Sequence, residues 1–295
     1  MFRERGFVLL KHLLSNDICN VLNHKIKQGK ISILITMKNV ALITGASSGI
    51  GKEFAKIHAQ KGGDLVIVAR SKNKLDELKN ELEKSYGISV KVIAKDLTKI
   101  EAAQEIYHEV KSKLITVEYL INNAGFGGVG KFHEREWEKD LAMINLNITA
   151  LTALTRYFLP DMVARNSGRI LNVSSTASLI PGPLQAVYYA TKAYVTFFSN
   201  AIAEELHDTN ITVTALLPGA TATEFAKVSG MDKTSLFDKT ASAYKVALDG
   251  YNGMLKGKLD VISGLTTSQK IMTAFAPLTP KKIILKQIRQ MQETK

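Results

Sequence analysis

The sequence predicts an α/β fold, in which a doubly wound, mostly parallel sheet of seven strands carries helices on both faces within a single domain. Three observations favour it. Short apolar runs rich in β-branched residues recur from residue 37 onward, segments with helical spacing separate them, and a glycine-rich turn follows the first run. Because the runs are continuously apolar, their strands should be buried on both faces, as in parallel sheets joined by right-handed crossovers.

Seven apolar runs are predicted to form the strands. Each is short, is rich in valine, isoleucine or leucine, and is bounded by polar or turn-forming residues, which distinguishes a buried strand from a buried helix. The runs are VALIT (40–44), LVIVA (65–69), VKVIAKD (90–96), VEYLINN (117–123), GRILNVSS (168–175), ITVTALLPG (211–219) and KLDVISG (258–264).

The segments between the strands carry helical patterns. GIGKEFAKIHAQKG begins at the glycine-rich turn and ends at Gly62–Gly63, and KNKLDELKNELEKSYG has an apolar face at Leu75, Leu78 and Leu82. This alternation of strands and helices indicates one domain of the Rossmann type over residues 37–295. Further helices are predicted at about 99–113, 134–165 and 186–208, with a C-terminal helical segment at about 266–292.

Composition limits the classes of function. The chain has 295 residues, 45% apolar and 22% charged, which is ordinary for a globular protein. The single cysteine, Cys19, excludes an internal disulfide, and the six scattered histidines show no ligand spacing, so no structural metal is expected. The net charge of +12 is spread without a dense Lys/Arg tract among aromatics, which disfavours nucleic-acid binding.

The N-terminal region gives no sign of a membrane span or a secretory signal. The longest apolar runs are shorter than the roughly 20 residues that span a bilayer, and MFRERGFVLL has only a short apolar block. A soluble cytoplasmic protein is therefore expected. Residues 1–36 stand outside the strand–helix alternation and are predicted to be an extension, either dispensable or the result of a start assigned upstream of Met37.

The turn TGASSGIG (44–51) joins the first strand to the first helix. Gly45, Gly49 and Gly51 permit a positive φ and leave room for a closely approaching phosphate. The N-terminus of the following helix presents free N–H groups and a partial positive charge to a pyrophosphate. This strand–turn–helix context predicts a dinucleotide-binding site, against the alternative of a simple Gly/Ser turn.

The end of the second strand indicates which dinucleotide binds. NAD sites place an acidic residue there to hold the ribose 2′-hydroxyl, whereas this strand ends Ala69-Arg70-Ser71. An arginine can bind a 2′-phosphate through two hydrogen bonds. Arg70 therefore predicts NADP(H) as the preferred cofactor, with NAD(H) as the alternative; a solvated Arg70 without any ligand is the other interpretation.

The stretch AVYYATKAYV (186–195) places three tyrosines and a lysine in a predicted helix. Tyr188 and Lys192 are four residues apart and share a helix face, whereas Tyr189 and Tyr194 have no lysine at that spacing. A free tyrosine has a pKa near 10, and a nearby ammonium would lower this pKa toward the range useful for proton transfer. Tyr189 and Tyr194 are expected to serve packing or subunit contact.

Two further polar residues are candidates for the same site. Ser175 ends the fifth strand, and because ligands gather at the carboxyl ends of parallel strands, Ser175 and Tyr188 should meet at one crevice. Asn147 lies on the long helix after the fourth strand, where it could add a hydrogen bond or be an ordinary helix-surface asparagine.

Seven motifs follow one another along the chain, and their order and spacing together are highly specific for one protein family. They are TGASSGIG (44–51), Asp96-Leu97, NNAG (122–125), Asn147, Ser175, YYATK (188–192) and PGATAT (218–223). On these motifs the chain resembles the short-chain dehydrogenase/reductase family. The resemblance covers about residues 37–225. A looser likeness of the run from about Asp260 points to the ketoacyl-reductase-like branch.

The resemblance implies catalytic roles for four residues. Tyr188 would protonate the carbonyl oxygen, or deprotonate the alcohol in reverse. Lys192 would lower the pKa of Tyr188 and bind the nicotinamide ribose, and Ser175 would hydrogen-bond the substrate oxygen. Asn147, rather than the neighbouring Asn145, would hold a water that links Lys192 to solvent.

The resemblance also implies the cofactor contacts. Asp96 and Leu97 would flank the adenine, and Thr223 would hold the carboxamide. Members of that family that use NADP often have a second basic residue before the middle glycine, where this chain has Ser48. The NADP(H) prediction therefore depends on Arg70, helped by serine hydroxyls at Ser47, Ser48 or Ser71. The full predicted cofactor set is Gly45, Ser47, Ser48, Gly49, Ile50, Gly51, Arg70, Asp96, Leu97, Asn123, Ala124, Gly125, Tyr188, Lys192, Pro218, Gly219 and Thr223.

Substrate specificity is expected in the least regular parts of the chain. The segment SLIPGPLQA (178–186) and a mobile lid at about 224–257 would cover an apolar pocket. PKKIILKQIRQM (280–291) is predicted to be a docking helix with a solvated basic face rather than a membrane contact. The resemblance implies a homodimer or homotetramer paired through the two long helices. The predicted pocket residues are Leu179, Ile180, Pro181, Leu184, Phe225, Val228, Met231, Leu236 and Phe237.

The leading hypothesis is an NADP(H)-dependent oxidoreductase that reduces an apolar ketone or a 3-oxoacyl-type substrate. One alternative is the NADP⁺-dependent oxidation of a 3-hydroxy acid or another secondary alcohol. An alternative from a different class is a non-catalytic dinucleotide sensor. The intact set of Asn147, Ser175, Tyr188 and Lys192 argues against the sensor.

Overall fold

A computed structural model describes residues 37–231, 234, 240–267, 269–271 and 279–293. The predicted extension, residues 1–36, lies outside the described residues, as do Leu236 and Phe237 of the predicted lid.

Seven parallel strands form one sheet in the order β3-β2-β1-β4-β5-β6-β9. The predicted fold class, a doubly wound parallel sheet, is therefore confirmed. A separate pair, β7 with β8, was not predicted. The strands are β1 (Val40–Thr44), β2 (Leu65–Ala69), β3 (Val90–Ala94), β4 (Val117–Asn122), β5 (Gly168–Val173), β6 (Ile211–Pro218), β7 (Thr221–Ala222), β8 (Ala241–Ser242) and β9 (Asp260–Ser263).

The helices cover both faces of this sheet. Neighbouring residues of β1 show the two layers, because Ala41 and Ile43 pack into one buried cluster and Val40 and Leu42 into the other. The helices are α1 (Gly49–Gln60), α2 (Lys72–Tyr86), α3 (Ala102–Ser112), α4 (Trp137–Ile144), α5 (Leu151–Ala164), α6 (Ala186–Glu205), α7 (Phe225–Ser229), α8 (Ala243–Leu255) and α9 (Lys281–Gln292).

The long helix predicted at 134–165 is not one regular helix. A 3₁₀ turn at Phe132–Glu134 precedes α4, and a π-helical turn, Asn145–Ala150, separates α4 from α5. The wider turn accommodates an asparagine, Asn147, whose side chain is directed inward to backbone groups of another loop. Such single π-turns are frequent at functional sites, and hydrophobic spacing does not reveal them.

The lid predicted at 224–257 is too long. Residues 243–255 form α8, which packs against the core through Val246, Ala247, Tyr251 and Met254. This apolar stripe belongs to the sheet layer, so the lid prediction applies only to the part before β8. Within the predicted C-terminal helical segment at 266–292, the residues Lys281–Gln292 form helix α9.

A buried histidine links three parts of the chain at the amino end of the sheet. His58 Nε2 lies 2.7 Å from the Asn39 carbonyl oxygen, and Nδ1 lies 2.8 Å from the Tyr251 hydroxyl. Because a carbonyl can only accept, Nε2 carries the hydrogen and Nδ1 accepts from Tyr251. Burial lowers the pKa of His58 below its ordinary value, so the folded protein holds this ring neutral.

Acid should therefore weaken the fold through His58. As the pH falls below about 6.5, the unfolded chain binds a proton at this position before the folded chain does, and the free energy of unfolding drops by up to about 1.4 kcal/mol per pH unit. A His58→Gln variant should be less stable at neutral pH and lose less on acidification. Urea unfolding of both proteins at about pH 7 and about pH 5 measures this; equal losses would contradict the assignment.

Candidate active site

A cavity of about 1130 Å³ lies at the carboxyl edge of the sheet. Residues that follow β1 to β6 line it, together with the first turns of α6. Two predicted site residues, Gly51 and Asn147, lie behind the lining and support it. The predicted residues in the lining are Gly45, Ser47, Ser48, Gly49, Ile50, Arg70, Asp96, Leu97, Asn123, Ala124, Gly125, Ser175, Tyr188, Lys192, Pro218, Gly219 and Thr223.

The glycine-rich turn has the backbone that its composition predicts. Gly45 and Gly49 have φ of +67° and +53°, values that favour glycine. A Cβ at Gly51 would clash with the carbonyl oxygen of Gly45. Ser48, the N-cap of α1, makes no side-chain hydrogen bond to the helix. The first backbone N–H groups of α1 are therefore available to an anion.

A threonine and an asparagine join the ends of β1 and β4. Thr44 Oγ1 accepts hydrogen bonds of 3.0 Å from the backbone N–H groups of Asn123 and Ala124. In return, Asn123 Nδ2 donates to the carbonyl oxygens of Thr44 at 2.9 Å and Gly45 at 3.3 Å. Asn123 and Ala124 thus hold the cavity floor against the glycine-rich turn.

Positive charge collects at the cavity end formed by β2 and β3. Arg70, Lys74 and Lys95 line it. Lys74 is 3.2 Å from Glu224 and Lys95 is 2.7 Å from Glu105, whereas Arg70 forms no ion pair within the described part of the chain.

Asp96 lies at the same end of the cavity. Although burial raises its pKa, hydrogen bonds from Thr98 and the charge of Arg70 bring the pKa below its ordinary value. Asp96 is therefore ionised at neutral pH, and its Oδ1 accepts from the Thr98 N–H and hydroxyl at 3.1 and 2.9 Å.

Ser175 and Tyr188 meet where β5 ends and α6 begins. The Ser175 side chain lies next to Tyr188 and acts to lower the pKa of Tyr188. Ser175 Oγ accepts from the Ala177 N–H at 3.1 Å and donates to the Pro218 carbonyl oxygen at 3.4 Å. Burial raises the pKa of Tyr188 to about 12, although the neighbouring Ser175 side chain opposes the rise. Tyr188 is therefore a neutral proton donor at neutral pH.

Burial is the largest influence on the pKa of Tyr188, which lies above its ordinary value; the lowering predicted for Lys192 stays a prediction. Lys192 Nζ lies 5.9 Å from the centre of the Tyr188 ring and donates to the Val173 carbonyl at 2.9 Å. Burial lowers the pKa of Lys192 to about 8. Helical spacing brought the two side chains to one face, but burial dominates the pKa of both.

The side chain of Asn147 organises the loop after β4. Its Nδ2 donates to the Phe126 carbonyl at 2.9 Å and to Thr191 Oγ1 at 3.0 Å, and its Oδ1 accepts from the Phe126 N–H at 3.1 Å. Both amide hydrogens are therefore engaged. The predicted role of Asn147 in holding a water stays a prediction, and the water would have to bind an atom of Asn147 other than Nδ2.

The other two tyrosines of α6 have different surroundings. Tyr189 is buried, and its hydroxyl accepts a 2.7 Å hydrogen bond from Gln292 Nε2. Tyr194 is partly exposed, stacks on Phe198 and lies 3.0 Å from the Thr152 hydroxyl. Tyr189 thus serves packing, as predicted, but its partner at the far end of the chain was not foreseen.

The cavity is apolar beyond Tyr188. Phe225 of α7 packs 5.7 Å from the Tyr188 ring, centre to centre, and the Ser229 hydroxyl accepts from the Gly127 N–H at 3.0 Å. Of the predicted pocket residues, Ile180, Phe225, Val228 and Met231 line the cavity, whereas Leu179, Pro181 and Leu184 do not.

Several apolar lining residues were not foreseen, among them Phe126, Val129, Ile288 and Met291. Ile288 and Met291 share a stripe of α9 whose helical spacing is visible in the sequence, but spacing does not tell which surface a stripe covers. Phe126 and Val129 follow the NNAG motif and carry no signal of their own.

The site fits a nicotinamide dinucleotide. The open helix N-terminus matches its pyrophosphate, and Arg70 matches a ribose phosphate. No group of three metal-ligating side chains occurs within the described residues. Nor is any helix among them long and apolar enough to cross a membrane.

Comparison with known proteins agrees with this geometry. The family model described as short chain dehydrogenase matches residues 39–234. The chain is 35% identical over 217 residues to a human very-long-chain 3-oxoacyl-CoA reductase, covering 70% of this chain and 67% of the relative.

Two solved structures are similar over most of their length. A short-chain dehydrogenase from Sphingobium yanoikuyae in complex with NADPH has a TM-score of 0.73 and 32% identity, covering 81% of this chain and 93% of that one. The bulky-bulky ketone specific alcohol dehydrogenase from Comamonas testosteroni has a TM-score of 0.70 and 29% identity, covering 82% and 93%.

The Thr44 contacts can be tested with a near-isosteric change. Thr44→Val removes the oxygen that accepts from Asn123 and Ala124, so the free energy of unfolding should fall by about 1–3 kcal/mol and NADPH should bind more weakly. Thr44→Ser keeps the oxygen and serves as the control. Chemical denaturation and calorimetric titration give both quantities. A valine variant as stable as the serine variant would contradict the role of Thr44.

Proposed function

Because the chain belongs to the short-chain dehydrogenase family, we propose that it reduces the carbonyl group of an apolar ketone or a 3-oxoacyl thioester with NADPH. Membership makes it an oxidoreductase that acts on CH–OH or ketone groups with a nicotinamide cofactor. The single observation that carries the proposal is the neutral, buried Tyr188, which lies next to Ser175 in a cavity that the glycine-rich turn also lines.

The proton chemistry follows from the state of Tyr188. With a pKa of about 12, its hydroxyl keeps its proton near neutral pH and donates it to the oxygen of a carbonyl as that carbon is reduced. Ser175 Oγ, already in contact with Tyr188, orients the same oxygen. The nicotinamide, when bound, supplies the hydride that the carbonyl carbon receives.

Lys192 contributes a buried positive charge to the same site. The charge lies against the ring of Tyr188 and favours the phenolate that proton donation leaves behind. Its hydrogen bond to the Val173 carbonyl holds the ammonium at the end of β5. Burial under Phe225 and Met231 keeps water from the reacting groups.

The preference for NADPH rests on Arg70. Its guanidinium lines the cavity at the end of β2 and has no ion pair within the described residues, so it can bind a ribose 2′-phosphate bidentately. Lys74 and Lys95 add positive charge nearby, although each is already paired with a glutamate. The NADPH in the Sphingobium structure supports this proposal.

The proposed substrate class follows from the apolar lining beyond Tyr188. Phe126, Val129, Ile180, Phe225 and Met231 offer a surface for an aliphatic chain or a bulky apolar group. The names of two relatives, a very-long-chain 3-oxoacyl-CoA reductase and a bulky-bulky ketone specific enzyme, are consistent with such substrates.

The alternative of alcohol oxidation would use the same groups in reverse, with Tyr188 as the base. Because burial raises the pKa of Tyr188 to about 12, oxidation would need a more alkaline pH than reduction. A non-catalytic dinucleotide sensor would not need the contact between Ser175 and Tyr188 or the buried charge of Lys192.

A homo-oligomer paired through α6 is part of the proposal. Tyr194 and Phe198 stack on this helix, and Phe197 is 72% exposed. Trp137 and Leu141 of α4 are also exposed. A subunit contact would cover these exposed apolar side chains.

The cofactor preference is tested by removing one charge. Arg70→Ala should weaken NADPH binding by about 10- to 100-fold, because a charge-assisted bidentate contact to phosphate is lost, and should leave NADH binding unchanged. Arg156→Ala removes an exposed arginine of α5 outside the cavity and is the matched control. Calorimetric titration with both cofactors measures this; a wild-type preference for NADH would refute the proposal.

The catalytic role is tested by removing one oxygen atom. Tyr188→Phe should lower kcat/KM for ketone reduction by about 10²- to 10⁴-fold with NADPH affinity unchanged, because only the proton donor is lost. Tyr194→Phe removes the same atom from an exposed tyrosine of the same helix and should leave turnover unchanged. NADPH consumption with a panel of ketones and 3-oxoacyl thioesters gives the rates, and wild-type turnover by Tyr188→Phe would disprove the mechanism.

A further inference from the structure

The C-terminal helix α9 forms one side of the apolar end of the cavity. Ile288 is 5% exposed and belongs to the buried cluster that contains Tyr188, Tyr189 and Met231. Ile284 and Met291 pack against the same cluster. Ile288 and Met291 also line the cavity itself, so α9 contributes to the space in which a substrate would lie.

A buried hydrogen bond connects the end of α9 to α6. Gln292, which is 0% exposed, donates from Nε2 to the Tyr189 hydroxyl at 2.7 Å across 103 residues of chain. The Tyr189 ring is closely packed, because a Cβ at Gly182 would clash with it. An amide and a hydroxyl buried without each other would be costly, so the pair favours one position of α9.

The two faces of α9 differ in character. Ile284, Ile288 and Met291 recur at helical spacing on the face that packs against the cluster. The opposite face carries Lys282, Lys286 and Arg289, all exposed, and Lys281 is exposed at the start of the helix. This face stays in water, so the apolar stripe and Gln292 account for the docking of the helix.

We propose that α9 is the specificity wall of the catalytic cavity: Ile288 and Met291 contact the apolar part of the substrate, and the Gln292–Tyr189 hydrogen bond fixes this wall relative to Tyr188. The inference rests on the proposed function, because the wall matters only if the substrate carbonyl lies at Tyr188. It assigns a limit on substrate length to Ile288 and a positioning role to Gln292.

The wall is first tested by binding, without turnover. Straight-chain methyl ketones of increasing length are titrated calorimetrically into the Tyr188→Phe protein saturated with NADPH. Each buried methylene should raise affinity by about fourfold until the chain meets the wall. Adding Ile288→Ala should move this limit to longer ketones, and Ile288→Trp to shorter ones.

A residue of the outer face supplies the control. Ile283 is 49% exposed on the same helix, and Ile283→Ala should leave the length profile unchanged. If Ile288→Ala and Ile288→Trp leave the profile as in the parent protein, the wall is refuted. A failure of every variant to bind any ketone counts against the wall and the proposed function alike.

The hydrogen bond is tested in the protein with Tyr188 intact. Gln292→Leu and Tyr189→Phe should each raise KM for long ketones more than for short ones, with NADPH affinity unchanged, and the double variant should be no worse than either single variant. If the hydrogen bond has a purely structural role, the variants should raise KM by the same factor for ketones of every length. That result would overturn the positioning role.

The two proposals fail in different ways. If the wild-type protein consumes no NADPH with any ketone while the Ile288 variants still shift the binding profile, the proposed function is refuted, and α9 limits the length of a bound ligand without a role in reduction. If ketones are reduced with a length profile that ignores Ile288, the wall falls and the proposed function stands.

Discussion

The parallel pairing of β1 with β2 on one side and β4 on the other is the constraint on which the site depends. The chain leaves β1 toward β2 and β3, then returns to the opposite side of β1 as β4. The turns after β1 and β4 therefore diverge and open a crevice at the carboxyl edge of the sheet. Thr44 and Asn123 hold the two turns at a fixed separation where the crevice begins.

Burial sets the chemistry of this crevice as much as position does. Strand β5 ends at Val173, and α6 starts close enough for its Tyr188 to contact Ser175 and its Lys192 to contact the Val173 carbonyl. The same enclosure moves the two pKa values in opposite directions, to about 12 for the phenol and about 8 for the ammonium. A neutral acid and a buried cation next to each other suit the reduction of a carbonyl.

Much of this architecture was readable from the sequence, because continuous apolar runs mark buried parallel strands and a glycine-rich turn marks the phosphate end. The spacing of Tyr188 and Lys192 similarly placed both at the crevice. Local patterns could not show what distant residues do. The direction of the Tyr188 pKa depends on burial by Phe225 and Met231, the π-turn depends on contacts of Asn147 with Phe126, and the partner of Tyr189 lies 103 residues away. The apolar spacing of α8 fits a core helix and a cover equally well, so spacing alone does not separate α8 from the predicted lid.

A crystal structure of the protein with NADPH bound tests this account most directly. The account predicts the pyrophosphate at the N-terminus of α1, the ribose phosphate beside Arg70, and the nicotinamide facing Tyr188 with room for a carbonyl group between them. A cofactor bound outside the crevice, or one whose nicotinamide is directed away from Tyr188, would contradict it.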